Sequence, residues 1–195
     1  MPRSPVLVLA AFAILSACGE PQAGAENAAA RADAKASGPI PTAVTPAPAA
    51  QTSAAEFAAK AAAGDAFELQ AAQIAQQRAT QPAVKAFAAM MLRDHGKSQA
   101  DLKEALAQSG EALTAAGALS PGQQQGLADL SKASAQDFDK AYMAGQVQAH
   151  EDALTLMQDY AQNGDNSALK AFAAQAAAVV QHHYEMAKTL RDELS

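Results

Sequence analysis

Three of the four histidines in this sequence sit where a helical pattern calls for an apolar side chain. His95 continues the spacing Val84, Phe87, Met91 and precedes Leu102. His150 falls between Val147 and Leu154, on a face with Met143 and Met157. His183 lies between Val179-Val180 and Met186-Ala187-Leu190. Steps of three, four and seven keep residues on one face of a helix, so each imidazole is expected on a core-facing surface of a different helix.

Heights follow from the rise of about 1.5 Å per residue. Counted from the turns, His150 and His183 come within roughly 5 Å of one level, and Glu68 on an earlier helix comes level with His95. Glu68, His95, His150 and His183 therefore form the expected cluster. Neutral imidazoles with a carboxylate suit Fe, Zn, Mn or Cu. The same groups can instead satisfy one another, with Gln146 or Tyr142, as a ligand-free buried network. A binding site requires that the four converge within coordinating reach; an interaction module predicts scattered histidines and an exposed apolar patch of several hundred Å².

Catalytic patterns are missing. Di-iron carboxylate bundles use Glu-x-x-His on two helices, but Leu92 stands three before His95 and Val180 three before His183. That argues against a di-iron centre. Asp94 and Glu151 adjoin histidines, yet neighbouring helical positions diverge by about 100° and do not readily share a metal; Asp94 is expected to face outward or orient a neighbour. His182 reads as a surface residue, and Asp137 and Asp139 as carboxylates favoured by the start of a helix. There is no Gly-rich phosphate loop, HExxH, CxxC or G-x-S-x-G. Binding is favoured over catalysis, with a metal-dependent redox enzyme as the lesser alternative.

The elements that must position these residues are helices. Ser53-Ala54-Ala55-Glu56 has capping-box spacing and opens a helix running to about Thr80. Pro82 fits the first turn of a second, which carries Val84, Phe87, Met91, Leu102 and Leu106 to a stop at Gly110. Ser120-Pro121-Gly122-Gln123 starts a short helix ending near Lys132. Ser134 with Asp137 opens a third long helix, which stops at Asn163-Gly164, and a fourth begins near Asn166. No segment alternates like a strand. Short turns within each pair and a link of over 20 residues between pairs predict an all-α, ferritin-like four-helix bundle: two antiparallel hairpins with a long crossover containing a short helix. An up-down-up-down bundle is the alternative.

The amino-terminal part has another character. Arg3, the ten apolar residues Val6 to Leu15, and Leu15-Ser16-Ala17-Cys18 read as a signal peptide over residues 1–17, too short to span a bilayer as a helix. Leu-Ser-Ala-Cys resembles the lipobox of bacterial lipoproteins, which implies lipidation of Cys18 and a membrane partner reached through that lipid. Gly19, where an inner-membrane retention signal has Asp, implies a periplasmic face of the outer membrane. Residues 18–52 are otherwise an Ala/Pro-rich tether with few large apolar residues, on the order of 30 Å from end to end. The domain at 53–195 carries 11 Lys and Arg against 17 Asp and Glu, a net charge of −6. That excludes nucleic acid as an electrostatic partner, and no protein partner is designated. Cys18 is the single cysteine, so there is no internal disulfide.

Val84-Lys85-Ala86-Phe87-Ala88 through Arg93-Asp94-His95, then Phe138-Asp139-Lys140-Ala141-Tyr142 and His150-Glu151, resemble the signature blocks of the domain-of-unknown-function 4142 family. The resemblance covers about residues 54–193. It implies a bacterial envelope protein with a ferritin-like fold, secreted or lipid-anchored, and brings no established activity. The family tends to have Leu-Pro shortly before its last-helix histidine. Here Ala177-Ala178 stand in that region, which implies a straighter last helix.

Overall fold

The computed structural model describes residues 51–195; the expected signal peptide, Cys18 and most of the expected tether lie outside them. Among the described residues all regular structure is helical: α1 (Ala54–Arg78), α2 (Pro82–Gln108), α3 (Pro121–Lys132), α4 (Phe138–Asn163) and α5 (Ser167–Glu193).

Local chemistry sets the boundaries. Ser53 Oγ accepts from the Glu56 amide at 3.3 Å, but only half of the expected capping box forms, because the Glu56 carboxylate pairs with Lys60 instead. The full box forms at α3, where Ser120 and Gln123 cap each other reciprocally. α4 starts at Phe138, later than the sequence signal at Ser134. The Ser134 hydroxyl accepts from the Asp137 amide and donates to its carboxylate, closing a turn ahead of the helix. Asn166 caps α5 by accepting from the amides of Ala168 and Leu169. α5 then runs to Glu193 without interruption.

Two polar ties fix how the hairpins α1–α2 and α4–α5 pack. At one end Asp139, buried in the first turn of α4, accepts from the amides of Thr80 and Gln81 and from the Thr80 hydroxyl. It anchors the two residues just ahead of α2, whose own first-turn amides receive no side-chain cap from Gln81. Its role goes well beyond the dipole interaction expected of it. At the other end Asn166 Nδ2 donates to the Ser109 carbonyl and the Glu111 carboxylate. The end of α1 thus meets the start of α4, and the end of α2 meets the start of α5. Every adjacent pair of the four long helices is antiparallel, and the crossover returns the chain along the whole bundle beside α1, as the one-crossover reading expects.

The crossover is pinned against α1 and α4. Arg78 donates to the carbonyls of Leu130, Ser131 and Ala133 at the carboxyl end of α3 and lies over the Phe138 ring at 4.8 Å. Gly117 passes so close to α1 that a Cβ there would collide with the Ala59 carbonyl and Ala63 amide. The small residues Ala58, Ala61, Ala62, Ala71, Ala72 and Ala75 line the buried face of α1.

The interior falls into two apolar clusters. One gathers Val84, Phe87, Met91, Phe138, Tyr142 and Met143; the other gathers Phe57, Leu102, Leu106, Tyr160, Leu169 and Phe172, with Phe57 stacked on Tyr160 at 3.9 Å between centroids. Full burial of such a side chain contributes about 1.5–3 kcal/mol, so each cluster is a substantial core. Between them lies a polar layer: Asp65, Glu68, His95, Gln146, His150 and His183, all buried. Val179, expected on the apolar side of α5, is instead exposed (46%), because Val180 takes the core position.

Candidate metal centre

Three helices deliver the histidines to this layer. His95 lies one turn beyond Met91 on α2, His150 three residues beyond Val147 on α4, and His183 three beyond Val180 on α5; all three precursors are buried, and the heptad-like spacing carries their face on to the imidazole. The ring centroids are 5.8 Å apart for His95–His150, 5.6 Å for His95–His183 and 5.4 Å for His150–His183. One ring nitrogen from each lies within 4.8 Å of the other two.

Each imidazole is held from outside by one nitrogen. His95 Nδ1 meets Asp65 Oδ1 at 2.8 Å, His150 Nδ1 meets the Gln146 carbonyl at 2.9 Å, and His183 Nε2 meets Asp94 Oδ2 at 3.1 Å. All three partners are acceptors, so in the neutral ring the contacting nitrogen carries the proton and the other bears a lone pair. Those others, His95 Nε2, His150 Nε2 and His183 Nδ1, are buried and hydrogen-bond to nothing in the protein. An outer acceptor on one nitrogen and a bare lone pair on the other is the arrangement of metal-ligating histidines.

Charge follows the same geometry. Burial lowers His150, and the neighbouring His95 adds to that against the field of Glu68. Burial likewise lowers His183, to about 4, although Asp94 opposes it. Both are neutral at pH 7, the form that binds metal. His95 differs: burial works against its charge, but the Asp65 hydrogen bond and the fields of Glu68, Asp65 and Asp94 outweigh it and raise the imidazole. Burial would raise the Asp94 carboxyl too, but hydrogen bonds from Arg93 and His183 hold it below its ordinary value.

Of the four residues expected to cluster, the structure brings the three histidines together. Glu68 is buried in the same layer, but its Oε2 accepts from Gln146 Nε2 at 2.7 Å, and it contributes no atom to the converging set among the described residues. Asp94 orients His183 across the α2–α5 contact, the second of the two roles open to it. Asp65 is the functional residue that periodicity missed. It stands one turn before Glu68 on the same face, and that i, i+3 pair of acids in an alanine-rich helix is the signal that marks it. His182 is exposed, as expected.

A profile described as "Domain of unknown function (DUF4142)" matches residues 40–190. The chain belongs to this family. No curated protein matches the DUF4142 chain. Among solved structures it is similar to "CopM in the Cu(II)-bound form", with a TM-score of 0.64 and 17% identity over 75% of this chain and 100% of that one. At that identity the likeness establishes the shared helical architecture of the DUF4142 protein and CopM. No helix among the described residues is long and apolar enough to cross a membrane.

Proposed function

We propose that this DUF4142 protein is a lipid-anchored cell-envelope protein that binds one transition-metal ion, copper foremost, through His95, His150 and His183. The observation that carries the reading is the set of three converging imidazole nitrogens, each buried without a hydrogen-bond partner while its sister nitrogen is fixed by Asp65, the Gln146 carbonyl or Asp94. Three buried lone pairs facing one another are costly as they stand, and a cation satisfies all three together. The ligand-free network open in the sequence, in which these groups satisfy one another with Gln146 or Tyr142, is met in part, since Gln146 bonds Glu68 and its carbonyl holds His150, but it leaves the three inner nitrogens and the Tyr142 hydroxyl without a partner.

Imidazole ligands suit Cu, Zn, Ni and Fe, and among divalent ions Cu(II) binds such a site most strongly. The Cu(II)-bound state of the similar CopM structure supports copper as the first ion to try. Envelope location and anchoring rest on the lipobox-like Leu15-Ser16-Ala17-Cys18.

The test is metal analysis of the purified protein after separate exposure to Cu, Zn, Fe and Mn salts and removal of loose ion. About one equivalent of copper is expected, lost in the His95→Ala/His183→Ala double variant. Retention of copper by that variant would move the site elsewhere. In cells, Cys18→Ser is expected to release the protein from the membrane fraction.

A further inference from the structure

The three-histidine set leaves a metal short of the usual four donors, and the protein has room beside it but no fourth ligand in place. The long helix without a histidine, α1, faces the centre with Asp65 and Glu68. Asp65 Oδ1 is engaged by His95 and Glu68 Oε2 by Gln146. A cleft of about 1390 Å³ adjoins all three histidines and both acids. Its walls mix small residues such as Gly64, Ala149 and Ala153 with larger apolar ones such as Phe67 and Phe172, and it reaches the surface near exposed groups such as Gln148 and Gln175. Pockets that admit small molecules are concave, with few polar groups set among apolar walls.

One of those polar groups is unspent. Asp65 is 5% exposed, lines the cleft, and its Oδ2 is buried without a partner. A carboxylate oxygen is an acceptor only, so a molecule seated there must present a hydrogen to it. Charge narrows the choice further. Arg93 pairs with Asp94 at 2.8 Å, which leaves Asp65 and Glu68 to balance a divalent ion. An anion added there would be a buried net charge, which is unfavourable.

We infer that the centre takes its fourth donor from outside the chain: a small neutral ligand that gives a nitrogen or oxygen lone pair to the metal and an N–H or O–H to Asp65 Oδ2. Imidazole-type nitrogen donors have both groups, whether free or as the side chain of a peptide. This rests on the metal-binding reading above.

The experiment uses the copper(II)-loaded protein, with imidazole as the neutral probe and azide as the anionic one, each followed by electron paramagnetic resonance and the visible spectrum. Imidazole is expected to change the copper signal at concentrations at least tenfold lower than azide, and ¹⁵N-labelled imidazole to alter the nitrogen hyperfine pattern. Asp65→Asn keeps an acceptor for His95 but replaces the free acceptor by a donor, so the preference is expected to shift towards azide by tenfold or more. An N-acetylhistidine arm and a histidine-containing peptide arm separate free from peptide donors. Copper that binds stoichiometrically but whose spectrum ignores imidazole overturns this inference alone, as does an equal or stronger response to azide in the wild type. Failure of the wild type to bind copper overturns the metal reading and this with it. Should Asp65→Asn not fold, the wild-type comparison of the two probes still decides.

Discussion

His183 shows how much of this centre depends on single outer contacts. In the metal-free protein it is held neutral down to about 4, and His150 is also lowered, in both cases chiefly by burial. The unfolded chain protonates near 6.5, so below that pH the unfolded state binds more protons than the folded one and stability falls with pH. The contribution of His183 is present above about pH 6.5 and lost by about 4, on the order of 3 kcal/mol. His95 runs the other way: its raised folded value favours the folded state at low pH, an advantage lost as pH rises through that value. With two histidines against one, the urea midpoint of metal-free protein is expected to drop between pH 7 and 4.5. The drop should shrink in His183→Asn; an unchanged midpoint in the wild type would contradict the assignment. The three imidazoles were legible because a helix repeats every 3.6 residues and their stripes were apolar. Which carboxylate holds which ring was not, because Asp65 and Asp94 act across helix contacts, and spacing along one helix carries no record of which side chain reaches a neighbour.

Between elements, Asp139 carries more than its place in a first turn announces. Three donors, the Thr80 and Gln81 amides and the Thr80 hydroxyl, converge on one buried carboxylate. Asp139→Ala leaves them without that acceptor and is expected to cost about 3 kcal/mol, read as a lower midpoint in chemical denaturation, whereas Asp137→Ala, whose contacts are exposed, should cost under 1 kcal/mol. Equal effects would remove Asp139 from its tying role. Helix number, order and most boundaries follow from capping residues and prolines, which act within a few positions of themselves. Ser120 with Gln123 reads correctly because both halves of the box are local. Ser53 with Glu56 reads only in part because Lys60, one turn on, competes for the carboxylate. The packing of Gly117 against α1 had no such local sign, since it depends on where a long connection comes to rest.

At the scale of the whole bundle, His95 belongs to one hairpin and His150 and His183 to the other. On the proposed function an ion bound by all three would join the two, and ligands that bind only the folded state stabilise it by mass action, about 2.7 kcal/mol at a hundred times Kd. The polar layer that parts the two apolar clusters has a kinetic counterpart. Each end of the bundle has its own core and its own tie, Asp139 with Thr80 or Asn166 with Ser109, while the middle has a layer of buried polar side chains beside an open cleft. Regions of that kind open locally at lower free energy than the rest. Amide deuterium exchange should therefore be fastest, within the long helices, around Asp65–Glu68, Asp94–Ser98, Gln146–Ala149 and Val180–His183, and copper should slow those turns selectively. Exchange that is uniform along each helix, with or without copper, would contradict this. In those terms the centre of the molecule is a seam, and an ion held by the histidines would decide whether it breathes.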